Sequence, residues 1–175
     1  EYRCTLRSPK CDLIPLSGVS PELLVSPDGR NAVLTRNGNL WLREVSGGID
    51  RALTADGEQD FGYGIWPDAW QCGFIPRERQ ATPLPPLKSY WSPDSRHVVV
   101  SRIDQRHVEP YPFLESAPRD GSFRPKVHAI RLPLAGEKPA TLDWFVFDIP
   151  SGKARRLEFP YAKLLVMQAD LMPIR

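Results

Sequence analysis

The chain has 175 residues and nearly balanced charge, 23 Lys and Arg against 21 Asp and Glu, for a formal net charge of +2. With basic residues scattered at Arg30, Arg36, Arg43 and Arg51, that balance leaves no field of the kind a nucleic-acid or anionic-membrane binder needs. No window approaches the roughly 18 apolar residues of a membrane-spanning helix. Nineteen prolines and twelve glycines among abundant Val, Leu and aromatic residues point instead to many short strands joined by turns.

The opening, "EYRCTLRSPKCDL", has neither the basic region nor the apolar run of a signal peptide, and no initiator Met precedes it. It reads as the start of a mature protein or of an excised piece. "YRCTLRSPKCDLI" (Tyr2 to Ile14) has the pattern of a hairpin: an apolar-rich strand, a four-residue turn and a shorter strand ending in Ile. Next, "PELLV" runs into the turn Ser26-Pro27-Asp28-Gly29 and the strand "RNAVLT", followed by a second hairpin, "WLREVSGGIDRAL" (Trp41 to Leu53). After a Pro-rich excursion the phrase returns. "KSYW" leads into Ser92-Pro93-Asp94-Ser95 and "RHVVVS", and a third hairpin, "FVFDIPSGKARRL", spans Phe145 to Leu157. Asp28 and Asp94 can each cap their turn through the side chain, and Gly29 accepts positive φ, so the turn chemistry is explicit.

The repeated unit is strand, Ser-Pro-Asp turn, strand, strand, Gly-containing turn, strand. A four-stranded antiparallel meander repeated in this way is the signature of a β-propeller blade. A β-sandwich has no reason to repeat the same turn at the same place. The expected fold is therefore all-β, an open arc of a β-propeller with about two complete blades and partial blades at each end. Residues 1–18 end one blade, 19–55 form a blade, and 56–88 form a long loop. Residues 89–159 form a second blade carrying an insertion over 104–141, and 160–175, including "PYAKLLVMQADLM", begin the next. A closed propeller needs about four to eight blades, so this stretch forms only an arc. Its two open flanks predict self-association. Structureless loops as long as 54–88 and 104–141 are uncommon and are usually functional or disordered, so both are the places to look for function.

The stretch "LKSYWSPDSRHVVVSRIDQRHVEPYPF" with "RPKVHAIRLPLAGEKPATLDWFVFDIPSGKARRL" resembles the N-terminal propeller of dipeptidyl peptidase IV and its bacterial relatives in the prolyl oligopeptidase group. Arg124-Pro125-Lys126 and Leu132-Pro133-Leu134-Ala135-Gly136 with Pro139 stand where the family has Tyr-Pro-Lys and Tyr-Pro-Lys-Ala-Gly followed by Asn-Pro. "TADGEQDFGYGI" (Thr54 to Ile65) is similar to the family's T-x-DG-x-x-D-x-x-YG segment. The resemblance runs from Ser26 to Leu157 and includes the irregular insertions. It implies a propeller stacked on a C-terminal α/β-hydrolase domain that cleaves short N-terminal pieces from peptides after proline or alanine. It also implies a periplasmic or secreted parent protein, with a cytoplasmic one left open, and no cofactor.

In that family a pair of adjacent glutamates after the "YG" segment holds the substrate's free amine by charge-assisted hydrogen bonds. Here no adjacent Glu pair lies between Tyr63 and Pro86; the matching places are near Gln71 and Cys72. Asp68 and Glu78 are the nearby carboxylates. Glu78, flanked by Arg77 and Arg79, reads first as a solvated charge triplet and second as a replacement amine ligand. Trp66 and Trp70, in the same excursion, are the better candidates for a ligand-facing surface, while Trp41, Trp91 and Trp144 fall on strands and read as packing. No Gly-x-Ser-x-Gly elbow occurs between Glu1 and Arg175, and His97, His107 and His128 have no such serine to serve. The expected role is the non-catalytic propeller part of a serine exopeptidase, gating and positioning substrate N-termini. The alternatives are a non-enzymatic binding scaffold and a catalytically inactive family member.

Overlaying the hairpins puts Cys4 where Arg43 stands and Cys11 where Asp50 stands. Positions opposed in this way across a hairpin are within disulfide reach. A Cys4–Cys11 bridge is expected in an exported protein and two reduced thiols in a cytosolic one. Cys72 is left as a small packed side chain, and no Cys or His spacing suggests a metal site.

Overall fold

A computed structural model describes residues 20–68, 84–118 and 120–158, together with the backbone of residues 2–4 and 11–13. The 160–175 stretch expected to start a further blade lies outside the described residues, as do Trp70, Cys72 and Glu78. The first hairpin is β1 (Tyr2–Cys4) and β2 (Cys11–Leu13), with Cys4 directly opposite Cys11 in the backbone register. A meander follows: β3 (Leu24–Val25), β4 (Asn31–Arg36), β5 (Asn39–Glu44) and β6 (Asp50–Ala52), hydrogen-bonded in chain order. The remaining elements are β7 (Phe61–Tyr63), β8 (Ser89–Trp91), β9 (His97–Asp104), β10 (Pro110–Glu115), β11 (Lys126–Arg131), β12 (Thr141–Asp148) and β13 (Ala154–Leu157). In the second sheet β13, β12 and β9 are neighbours, and β7 and β8 share the far edge of β9. Every strand pairing among the described residues is antiparallel.

Both Ser-Pro-Asp turns close by the same bonds. The Ser26 hydroxyl donates to Asp28 (2.6 Å) and accepts the Asn31 N–H, while Asp28 also accepts the Arg30 N–H. Ser92, Asp94, Arg96 and His97 repeat the set. The hydroxyl bonds, then the backbone bonds, hold both aspartate carboxyls below the usual range. Gly29 takes φ +72°, and Ser95 occupies the same left-handed place at +58°. The Ser95 hydroxyl accepts the Asp28 N–H at 3.1 Å, so the two turns touch and the blades start in step.

The sheets pack face to face. Val33, Leu40 and Leu42 of the first meet Tyr63, Val98, Val100 and Phe147 of the second, with Ile149 at the end. Trp91 donates its indole N–H to the Leu24 carbonyl at 2.9 Å, which fixes the sheets' relative position at one strand end. The opposite face of the second sheet builds another core from Leu87, Ile103, Val108, Ala140, Leu142 and Trp144. Both faces of β9 are thus covered, which explains the near-continuous apolar run "VVVS".

Two expectations need correction. The 56–88 stretch contains a strand, β7, which extends the edge that β8 begins; three residues containing a glycine carry too little alternation to be seen alone. The 104–141 insertion is not structureless, because most of it is the β10–β11 hairpin, a separate two-stranded sheet.

In the first blade Arg43 opposes Asp50 and forks onto its carboxylate at 2.6 and 2.8 Å, with Arg36 adding a third bond at 2.9 Å. The Arg43 bond first, then Arg36, holds the Asp50 carboxyl at about 2 against the usual 3.8. A depressed folded pKa adds stability above about pH 4 that is lost as the pH falls toward 2. Asp50→Asn is expected to cost about 1 kcal/mol at pH 7 and to flatten that acid-side loss, measured by urea unfolding at stepped pH. For the first hairpin, non-reducing peptide mass mapping of the oxidised protein is expected to yield a Cys4–Cys11 linked peptide. Free thiols at both positions would remove the bridge.

Candidate functional site

The two excursions meet where β7 begins, β9 ends and the insertion departs. Asp60, at φ +65°, precedes β7, and Gln105, nearly buried, follows β9. Gln105 donates its backbone N–H to the Asp60 carbonyl and its amide Nε2 to Asp60 Oδ1, both at 2.9 Å. Its Oε1 accepts the Asp68 N–H at 3.2 Å. Asp68 Oδ2 accepts the Arg131 N–H at 3.0 Å, and Arg131 Nε donates to Asp60 Oδ2 at 2.7 Å. Asp60, Gln105, Asp68 and Arg131 therefore close a ring of hydrogen bonds. Arg131 Nη1 adds bonds to the carbonyls of Val108 (2.6 Å) and Arg106 (3.2 Å). The ring joins residues up to 71 positions apart in sequence.

Local packing aims these groups. Phe61, beside Asp60, lies under two guanidiniums, Arg106 at 4.1 Å and Arg102 at 4.7 Å from the ring centre. Arg106 also forks onto Asp104 at 2.8 and 3.0 Å, which holds the Asp104 carboxyl below its usual range. Trp66 donates its indole N–H to the Pro85 carbonyl at 3.1 Å and packs against the second core, clamping the two ends of the first excursion together. At the exit from β7, Gly64 has φ +62°, and a Cβ there would meet the Pro86 Cβ at 2.6 Å, so only glycine fits.

Of the sequence candidates, Trp66 and Asp68 come to this junction. Asp68 acts there through its backbone N–H and Oδ2 as a tie between the excursions. Trp70 and Glu78 belong to the stretch that leaves directly after Asp68 and lie outside the described residues. Asp60, Gln105 and Arg131 were not singled out from the sequence. The available signal for Asp60 was its place as the second aspartate of the Thr54–Gly64 motif; Gln105 and Arg131 left none. The ring holds acidic and basic groups already matched to one another, so it can position chain segments rather than transfer protons or attack a carbonyl. Among the described residues no group of three or more His, Cys, Asp or Glu is placed to hold a metal ion. No helix there is long and apolar enough to cross a membrane.

Comparison with known proteins bears on this arrangement. Residues 87–167 match the family described as the dipeptidyl peptidase IV (DPP IV) N-terminal region. The chain is 28% identical over 151 residues to a probable dipeptidyl-aminopeptidase B of Verticillium alfalfae, covering 79% of this chain and 16% of the relative. It is 29% identical over 145 residues to one of Grosmannia clavigera, covering 73% and 14%. It thus spans about one sixth of the length of these curated relatives. Its fold is similar to the crystal structure of Porphyromonas gingivalis dipeptidyl peptidase 4, with a TM-score of 0.60 at 21% identity over 79% of this chain and 18% of that one. A putative dipeptidyl aminopeptidase IV from Bacteroides ovatus gives 0.51 at 20% identity, over 78% and 16%. The two face-packed meanders are accordingly blades of an open propeller arc.

Arg131→Lys keeps the charge but loses the planar fork that reaches Asp60 and two carbonyls. It is expected to cost the insertion about 1–3 kcal/mol of local stability. Amide exchange of β10 and β11 accelerates accordingly, while β4 and β5 keep their protection. Unchanged exchange in the hairpin would show that the ring does not hold it.

Proposed function

We propose, from its kinship with the N-terminal region of dipeptidyl peptidase IV-like peptidases, that this chain is the non-catalytic propeller part of a serine exopeptidase. In this reading it gates access to the active site and positions the N-terminus of peptide substrates. The observation that carries the proposal is the four-residue ring, which fixes both excursions to one end of the second blade. Of its four members Gln105 is buried and Asp60, Asp68 and Arg131 are half-buried. Its effect is to set where the stretch bearing Trp70 and Glu78 departs, with Trp66 at its base. Positioning of this kind supplies orientation, which lowers the barrier without any proton transfer by the propeller itself.

The nucleophile belongs to a C-terminal α/β-hydrolase domain of an exported parent protein, and residues 1–175 contribute no serine elbow. Where the arc stands alone, its apolar flanks are covered by self-association. One observation favours a second reading, a binding scaffold or inactive relative: no adjacent Glu pair lies between Tyr63 and Pro86.

The test uses the full-length protein and a chromogenic Xaa-Pro anilide, with its α-amine free or acetylated. The proposal expects hydrolysis of the free-amine substrate at least about 100-fold faster than the acetylated one, equal to about 2.7 kcal/mol of amine recognition. Glu78→Gln raises KM more than it lowers kcat if Glu78 holds the amine. Peptide binding without turnover would establish the scaffold reading instead.

A further inference from the structure

The face that the first blade turns toward the second is covered along only part of its length. Leu42 lies in the shared core, while Ile49, whose carbonyl accepts the Glu44 N–H beside the β5–β6 turn, is 70% exposed. A cleft of about 370 Å³ opens here, lined by Arg30, Asn31, Leu42, Glu44, Ile49 and Arg51. Its volume falls within the range of small-molecule sites. Asn31 begins β4 and Glu44 ends β5, so the cleft stands at the end of the blades that carries the Ser-Pro-Asp turns. The ring of Asp60, Gln105, Asp68 and Arg131, and the stretch that leaves after Asp68, belong to the other end.

The charges on the walls of the cleft are not matched to one another. Among the described residues Arg30, Arg51 and Glu44 have no ion-pair partner. The Glu44 carboxylate accepts the Ser46 hydroxyl at 3.2 Å, and Arg51 Nη2 donates to the Ile149 carbonyl at 3.2 Å. Arg30 acts on Asp28 through its charge, but the Asp28 carboxylate bonds the Ser26 hydroxyl and the Arg30 N–H within the turn. The place of Arg51 is built by the second blade. Gly152 has φ +68°, and a Cβ there would come within 2.9 Å of Arg51 Nη1, so the β12–β13 turn leaves room for the guanidinium and holds it by one carbonyl. Arg51 stands opposite Leu42, which makes Arg51 and Glu44 diagonal neighbours, their Cβ atoms roughly 7 Å apart.

We propose that this cleft binds a dipeptide with an aliphatic side chain. Its α-ammonium lies on Glu44, its carboxylate on Arg51 and Arg30, and its side chain on Leu42 and Ile49, with the Asn31 amide beside the peptide group. Opposite charges that face one cleft without reaching each other fit a ligand that carries both. A free amino acid holds its two charges within one residue, whereas an extended dipeptide spans roughly 7 Å, the length of the diagonal. Charge-assisted hydrogen bonds at the two ends fix its direction, and its side chain covers the exposed Ile49. Nothing in this inference requires hydrolysis, so it stands apart from the peptidase proposal.

Photolabelling of the full-length protein tests it, with Ala-Leu carrying a diazirine in the leucine side chain and the labelled residues mapped by mass spectrometry. Label is expected between residues 30 and 51, and unmodified Ala-Leu is expected to displace it. Acetyl-Ala-Leu, Ala-Leu amide and free leucine are each expected to compete at least about tenfold less well, since each loses one charge or the spacing between the two. Glu44→Gln and Arg51→Gln are expected to cut the label about tenfold. Arg30→Gln, which removes no hydrogen bond of the fold, is expected to cut it at least about threefold, and decides together with Glu44→Gln if Arg51→Gln loosens the blades by amide exchange. Absence of label between residues 30 and 51, label unchanged in both Arg30→Gln and Glu44→Gln, or equal competition by the blocked dipeptides overturns the proposal. Label elsewhere in the protein reports other sites, and none of these outcomes bears on peptidase activity.

Discussion

Ser101 sits at a gap one residue wide on the edge of β9, and the second blade depends on how that gap is closed. β8 pairs with residues 98–100 and β7 with 102–104, so the chain leaves the edge after Tyr63 and must return before Ser89. Gly64 donates its N–H to the Ser101 carbonyl at 2.8 Å, and Leu87 donates its own to the Gly64 carbonyl at 2.8 Å. The Ser101 hydroxyl, fully buried, completes the set by donating to the Leu87 carbonyl at 2.9 Å. Exit and entry are stitched to one residue, so both ends of the excursion are fixed. Its length therefore costs the fold little. Thr35 Oγ1 donates to the Tyr63 carbonyl at 2.9 Å, which ties the same crossing to the first blade.

A second constraint is electrostatic. Arg102 enters the space between the blades with its guanidinium 4.7 Å from the ring centres of both Phe61 and Phe145 and 5.6 Å from Tyr63. Burial works against its charge, but hydrogen bonds to Asp143 and Tyr63 outweigh it and raise the pKa. Burial also pushes the Tyr63 phenol up. An apolar interface holding one guanidinium, bonded through Nη1 and Nη2 but with a buried Nε that has no partner, tolerates fewer alternative packings than a purely aliphatic one, because any shift strands more of the charge. Phe61 gains a fixed orientation from Arg102 and Arg106, and Asp60 beside it inherits that order.

The functional proposal rests on these fixed points. The blades supply a rigid end, and the ring pins both excursions to it. Asp68, through its bond from the Arg131 N–H, also ties the end of β11 to the first excursion.

Local chemistry was legible from the sequence. Both Ser-Pro-Asp turns and the strands beside them form as read, because a turn's bonds run between residues two to five apart. Hairpin register was legible for the same reason: Cys4 opposes Cys11, Arg43 opposes Asp50, and Phe147 opposes Ala154, all equivalent places in one repeat. The resemblance carried the reading to an open propeller arc. Tertiary structure alone decided the rest. Phe61–Tyr63 becomes a strand only because β9 is longer than β8 and leaves peptide groups that need partners. Asp60, Gln105, Asp68 and Arg131 are ordinary polar residues in sequence and form a site only when folding brings positions up to 71 apart to hydrogen-bond distance. Hydrophobic repetition fixes which faces are buried, whereas such long-range polar contacts leave no periodic trace in the chain.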